Sequence, residues 1–197
     1  MQLSTNLVLA SQSPRRRRLL ERLGLTFTVH VSPAEEIVPP GLAPASVAQQ
    51  LAIDKVEPVA SQHPDALTLA ADTLVALGDK VLGKPNDADD AKAMLRALSG
   101  RTHTVFTGIA VRHTASGRLA TATVGTDVTM GALTDVEIEA YVAGGSPMDK
   151  AGSYGIQDDT GALFVERIDG DYYNVVGLPL RQTYVLLRDQ FGEFVHL

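Results

Sequence analysis

Among its 197 residues the chain has no cysteine and no tryptophan, and only 5% of it is aromatic. Without thiols there is no disulfide framework, no thiolate metal site and no cysteine nucleophile. Any catalysis must come from carboxylates, hydroxyls, histidines, cationic groups or a bound metal, and a thiol-free chain points to a cytoplasmic protein. No apolar run approaches the roughly 18 to 20 residues of a membrane span. The stretch MQLSTNLVLASQSPRRRR carries its positive charge after its short apolar segment, which argues against export and against a membrane partner. Basic residues are in deficit, 17 against 23 acidic, and the net charge of -6 disfavours nucleic acid as a partner. The five histidines are scattered with no i, i+4 pair, so a two-histidine helical zinc site is absent. No G-x-S-x-G surrounds Ser11 or Ser13, LGKP lacks the spaced glycine of a P-loop, and no G-x-G-x-x-G follows a strand. What remains is ordinary globular composition, 45% hydrophobic and 20% charged, at a length suited to one large domain or two small ones.

Periodicity organises the chain. Leu7 to Ala10 reads as a short buried strand that passes through Ser11, Gln12 and Ser13 into Pro14, which suits a first helical position with Ser13 as N-cap. Leu19, Leu20 and Leu23 share one helical face, and Gly24 supplies the stop. Phe27 to Val31 alternates as a second strand, and the Pro-rich stretch from Pro33 to Pro44 is a loop bearing Glu35 and Glu36. Ser46 to Val56 reads as a helix ended by Pro58. Leu67 to Leu77 is apolar almost throughout, as a central strand buried on both faces would be, except for Asp72 and Thr73. Ala91, Met94, Leu95 and Leu98 mark a helix that Gly100 stops. Thr102 to Arg112 and Leu119 to Met130 form a hairpin, Thr134 and Glu137 a capping box, Leu163 to Ile168 a strand, and Pro179 opens a last helix. Elements alternate in the first half and pair antiparallel in the second. The expected fold is α/β, a mixed sheet with flanking helices, a single domain over 1–197 with a cleft between two lobes.

Three groups of residues could carry chemistry. In SQSPRRRR, helix N-terminal N–H groups, two serine hydroxyls and guanidinium groups converge, a combination suited to phosphate. Four arginines on one turn cannot all face a ligand, and Arg17 and Arg18 read equally well as solvated surface. Asp72 is a carboxylate inside an apolar strand, costly unless paired, capped or metal-bound, and at a strand end facing a cleft it could activate water or hold a cation. Lys55 and Lys84 could reach a polyphosphate bound near Asp72, and Glu35 or Glu36 could add a metal ligand or activate water. Solvation of each of these charges on the surface is the competing reading.

The segments LASQSPRRRRLLERLG, AADTLVALGDKVLGKPNDADDAKAMLRALSGRTHTVFTG, DKAGSYGIQ and YYNVVGLPL closely resemble the Maf family of nucleoside triphosphate pyrophosphatases, in the family's order and from about Leu7 to Leu187. The resemblance implies a fold of the Maf and inosine-triphosphatase type, a nucleoside triphosphate in the cleft, a divalent cation (Mg²⁺ or Mn²⁺), and nucleoside monophosphate and pyrophosphate as products. By motif, Asp72 is the proton acceptor that prepares water, Glu36 and Lys84 complete the catalytic set, and Asp72 with Glu36 would hold the metal. Ser11, Arg15 and Lys55 would bind substrate. The combination Arg15, Thr73 and Gln157 resembles the dTTP/UTP branch, where a glutamine amide can pair with the O4 and N3–H edge of uracil or thymine. The sequence departs from the family's pattern at Asp158 and Asp159, which follow Gln157 where glycine is usual. A homodimer is compatible with the resemblance, and no residue pattern marks its interface. Two other readings stay open: a house-cleaning pyrophosphatase with a different base preference, and a nucleotide-binding regulator of cell division and septum formation.

Overall fold

The structure, a computed structural model, describes residues 1–38 and 41–196. In chain order its elements are β1 (Gln2–Leu3), β2 (Leu7–Leu9), α1 (Pro14–Arg22), β3 (Thr28–Val29), α2 (Pro44–Ala60), β4 (Leu67–Leu77), β5 (Lys80–Leu82) and α3 (Ala88–Leu98). β6 (Thr102–His113), β7 (Arg118–Met130), α4 (Asp135–Ala143), β8 (Val165–Asp169), α5 (Tyr172–Val176), α6 (Leu180–Gln190) and β9 (Val195–His196) follow. Local signals account for most boundaries. The Ser13 side chain accepts from the Arg16 N–H at the start of α1, and Thr134 and Glu137 form a reciprocal capping box at the start of α4. Gly24 and Gly100, at φ of 68° and 66°, follow α1 and α3 in the left-handed conformation that ends a helix at little cost to glycine.

Some boundaries differ from expectation. α2 begins at Pro44 and runs through Pro58 to Ala60 rather than stopping before the proline. Pro58 lies in the last turn, where a missing N–H costs one hydrogen bond, and its carbonyl accepts from Ser61 Oγ and Gln62 Nε2, each at 3.0 Å. The expected strand from Leu163 begins at Val165, after a 3-10 turn over Gly161–Phe164. The strand expected over Phe27 to Val31 is confined to Thr28 and Val29. β5 and α5 are additions to the sequence reading. Of the loop expected over 33–44, Pro39 and Pro40 lie outside the described residues.

The main sheet is mixed and seven-stranded, in the order β3-β2-β4-β6-β7-β8 with β5 also on β4. β2 pairs parallel with both β3 and β4, whereas β4-β6-β7-β8 is antiparallel throughout. Helices cover both faces. Leu19 and Leu20 of α1 and Leu187 of α6 pack with Leu7, Leu9, Leu67, Leu69 and Ile109. On the other face Ala52, Val56 and Val59 of α2 meet Val8, Ala70 and Ala110. α2 sits directly on the sheet because β6 has Gly108 beneath it; a Cβ there would collide with the backbone carbonyl of Ala48. Among the described residues no helix is long and apolar enough to cross a membrane.

The register of β4 creates the cleft. β6 pairs with its whole length from Thr68 to Ala76 on one edge. On the other edge β2 reaches only Leu67–Leu69 and β5 only Val75–Leu77. The edge between them is left without a strand partner, and Asp72 and Thr73 lie in this gap.

Candidate active site

A cleft of about 720 Å³ opens at the gap in β4. Every residue singled out from the resemblance lines it: Ser11, Arg15, Glu36, Lys55, Asp72, Thr73, Lys84 and Gln157. The strand's alternation divides the two polar residues of β4 between its faces. Asp72 shares a face with Ala70 and Leu74, both packed against α2, and meets Lys55 of that helix. Thr73 faces α1 and α5, accepting from Arg16 Nη2 at 3.1 Å and lying 2.9 Å from Thr107 Oγ1. Asp72 is therefore inside the strand rather than at its end; the missing neighbour strand, not a strand terminus, exposes it to the cleft.

Asp72 is 6% exposed and its carboxylate accepts from the Lys55 ammonium. Lys55 also donates to Glu36 Oε1 at 2.8 Å, and Lys84 donates to Glu36 Oε2 at 3.0 Å. Two carboxylates and two ammonium groups thus form one chain, Asp72–Lys55–Glu36–Lys84, in which the buried charge is matched sign for sign. Partial burial pushes the Glu36 carboxyl up, but the hydrogen bonds and charges of Lys55 and Lys84 outweigh it and hold the group at about 2. Glu36 comes from the loop after β3, whose Val31, Ser32, Ala34, Glu36 and Val38 line the cleft. Glu35 is not among the lining residues described.

The turn SQSPRRRR brings two of its four arginines to the cleft. Arg15 lines the cleft with its Nη1 bonded to Asp149 Oδ2 at 2.6 Å. Arg16 lines the cleft as well. Its Nε donates to Gly177 O at 3.0 Å, its Nη2 reaches Thr73, and its Nη1 lies 3.5 Å from Ser11 Oγ. Burial lowers its pKa, an effect opposed by the nearby Asp72 carboxylate. Arg17 pairs with Glu21 on the surface, and Arg18 is exposed. The signal for Arg16 was available: Arg16, Leu19, Leu20 and Leu23 fall at i, i+3, i+4 and i+7, which puts Arg16 on the buried face of α1.

Behind Thr73 a polar wall comes from the segment YYNVVGLPL. Thr107 Oγ1 donates to Asn174 O at 3.0 Å, and the buried Asn174 amide donates to Val105 O and Thr126 Oγ1, each at 2.9 Å. Opposite, Gln157 lines the cleft beside Lys150 and Asp149, two residues that sequence reasoning did not single out.

A family model described as "Maf-like protein" matches residues 6–190. The chain belongs to the Maf family. It is 55% identical to a dTTP/UTP pyrophosphatase of Salinibacter ruber over 99% of this chain and 96% of that relative. It is 54% identical to a dTTP/UTP pyrophosphatase of Moorella thermoacetica, over 93% of this chain and 94% of the other. Among solved structures, the Ham1 protein of Staphylococcus aureus aligns with a TM-score of 0.49 at 13% identity, covering 97% of this Maf chain and 91% of its own. The Maf motifs quoted from the sequence meet at one cleft, lined by residues of the SQSPRR turn and α1, the β4 gap, α2, the Glu36 loop and the Gln157 segment.

Proposed function

We propose that this Maf protein hydrolyses dTTP and UTP to the nucleoside monophosphate and pyrophosphate. It would act on free nucleotides in the cytoplasm as one domain, with the cleft between two lobes. The observation that carries the reading is the pairing of a buried, lysine-bound carboxylate, Asp72, with an arginine-and-serine pocket across the same cleft. A water molecule attacks the α-phosphorus, a new P–O bond forms, and the bond to the bridging oxygen of the β-phosphate breaks. Asp72 accepts the proton of that water. Lys55 fixes the Asp72 carboxylate in place, while Arg16, Arg15 and Lys84 neutralise charge that builds on the departing pyrophosphate. Ser11 Oγ offers a further donor to a phosphate oxygen.

A divalent cation fits this donor set in a particular way. Asp72 and Glu36 converge on the one Lys55 ammonium, so their oxygens are close enough to share an ion. No cluster of three or more His, Cys, Asp or Glu is present among the described residues. Two carboxylates suit Mg²⁺ or Mn²⁺ bound together with substrate phosphates and water, rather than in an all-protein cage. When bound, the cation would supply charge neutralisation on the phosphates and polarise the α-phosphorus.

The test is pyrophosphate release from a panel of nucleoside triphosphates, run beside Asp72→Asn and a metal-free control. UTP and dTTP should be preferred, and turnover should fall by about 100-fold or more in a folded Asp72→Asn protein, the scale of a lost general base. An active Asp72→Asn enzyme removes the proton-acceptor role; an inactive wild type that binds nucleotide favours the regulator.

A further inference from the structure

Gln157 can read a base in two senses, because its amide has a donor end and an acceptor end that a half-turn exchanges. In this protein its neighbour decides between them. Gln157 Nε2 donates to Asp158 Oδ1 at 3.0 Å. Asp158 is anchored through its other oxygen: Oδ2 accepts from Ser146 Oγ at 2.5 Å and Tyr141 OH at 3.1 Å, and lies 3.3 Å from Lys150 Nζ. Tyr141 is itself fixed, since its hydroxyl accepts from the Gly155 N–H at 3.1 Å. Among the described residues Gln157 lines the cleft and Asp158 does not.

We propose that Asp158 is a positioning residue for base selection, holding the Gln157 amide with Nε2 toward Asp158 and Oε1 free to accept from a pyrimidine N3–H. A carboxylate only accepts hydrogen bonds, so reversing the amide would place the Gln157 carbonyl oxygen against a carboxylate oxygen and lose the bond. In the held sense, Oε1 and the second N–H match the N3–H and O4 of uracil and thymine. Cytosine presents an acceptor at N3 and a donor at N4, and requires the reversed sense. Asp158 thus excludes cytosine without touching it. The inference rests on the proposed pyrimidine triphosphate hydrolysis and assigns the discrimination within the pyrimidines.

Asp158→Asn tests it with almost no change of shape. The Oδ2 position accepts from Ser146 and Tyr141 and lies beside the Lys150 ammonium, so the asparagine carbonyl belongs there and its NH2 turns toward Gln157. The Gln157 amide then reverses to accept from that NH2 and presents its own NH2 to the base. The ratio of kcat/KM for UTP over CTP should fall by about tenfold or more, with CTP turnover rising in absolute terms, because a hydrogen bond is exchanged for a mismatch. Should Asp158→Asn not fold, Asp158→Ser, which both donates and accepts, is read by the same ratio and should lower it at least threefold. A ratio within threefold of wild type, or equal losses on UTP and CTP, overturns the proposal and leaves Asp158 a structural residue. A wild-type enzyme that hydrolyses CTP as well as UTP overturns the premise instead, and a wild type with no hydrolysis overturns the functional reading itself.

Discussion

Replacing Lys55 by methionine keeps the length of the stem and removes the ammonium from between Asp72 and Glu36. Asp72, 6% exposed, is then a buried carboxylate without its cation. Removing one partner of a buried ion pair costs about 3 to 5 kcal/mol. A chain of 197 residues unfolds with an entropy of about 0.4 kcal/mol/K, so Tm should fall by about 7 to 12 °C at pH 7. Glu36 adds a smaller, pH-dependent part. Its carboxyl titrates near 4.5 unfolded and about 2 folded, so its contribution is complete above 4.5 and is lost as pH falls toward 2. Because that side chain is 44% exposed, screening reduces the contribution to about 1 kcal/mol. The Glu36 part of the gap between wild type and variant should narrow as the pH falls below 4.5. Adding Asp72→Asn to Lys55→Met should restore at least half of the lost stability, since no unmatched charge remains, while leaving the enzyme inactive. Thermal unfolding of the four proteins by circular dichroism makes the cycle. A fall in Tm below about 3 °C for Lys55→Met, or a double variant no more stable than the single, refutes the ion-pair argument.

Arg16→Lys cannot satisfy Gly177, Thr73 and Ser11 from one ammonium, and kcat/KM for UTP should fall by about 100-fold; Arg17→Lys, on the surface, should stay within about twofold of wild type, and equal effects of the two would remove Arg16 from the site. Burial pushes the 2%-exposed His103 down to about 4 from 6.5, against the opposing charge of Asp127. Its contribution is therefore full above pH 6.5 and falls by about 3 kcal/mol as the pH drops to 4. His103→Gln should flatten that part of the denaturation profile, and an unchanged slope between pH 7 and 4.5 would show that another group carries it. Chelation by EDTA should stop pyrophosphate release and leave Tm within about 2 °C, because Asp72 and Glu36 already have lysine partners; a large fall in Tm would mean that the ion is structural.

Much of this was legible because it rests on short-range rules. A carboxylate in LTLAADTLVAL is conspicuous against its apolar neighbours, and the burial of β4 on both faces follows from the same run. Capping residues placed α1 and α4. The ion partners of Asp72 are less visible, since Lys55 and Glu36 lie 17 and 36 residues away and only the seating of α2 brings them together. Arg16 is harder to single out within four consecutive arginines, and the local signal for it is helical phase, which sets it on the apolar face of α1 with Leu19 and Leu20. β5, with three residues, and α5, with five, are too short to generate a periodicity. Asp149 and Lys150 were missed because their role depends on where Arg15 and Asp158 end, which no local pattern encodes.

The contact between Gly108 and Ala48 gives the active site its scale. Asp72 and Gly108 are register partners on adjacent strands, and α2, which carries Lys55, rests its backbone on the second of them. The separation of the two charged groups is thus a thickness, that of a helix laid on bare main chain, and not a distance negotiated by the side chains themselves. A single methyl group at position 108 would act as a shim, widening the spacing of Asp72 and Lys55 while leaving both residues untouched. Inheritance of an activity in this chain therefore includes inheriting a place where nothing protrudes.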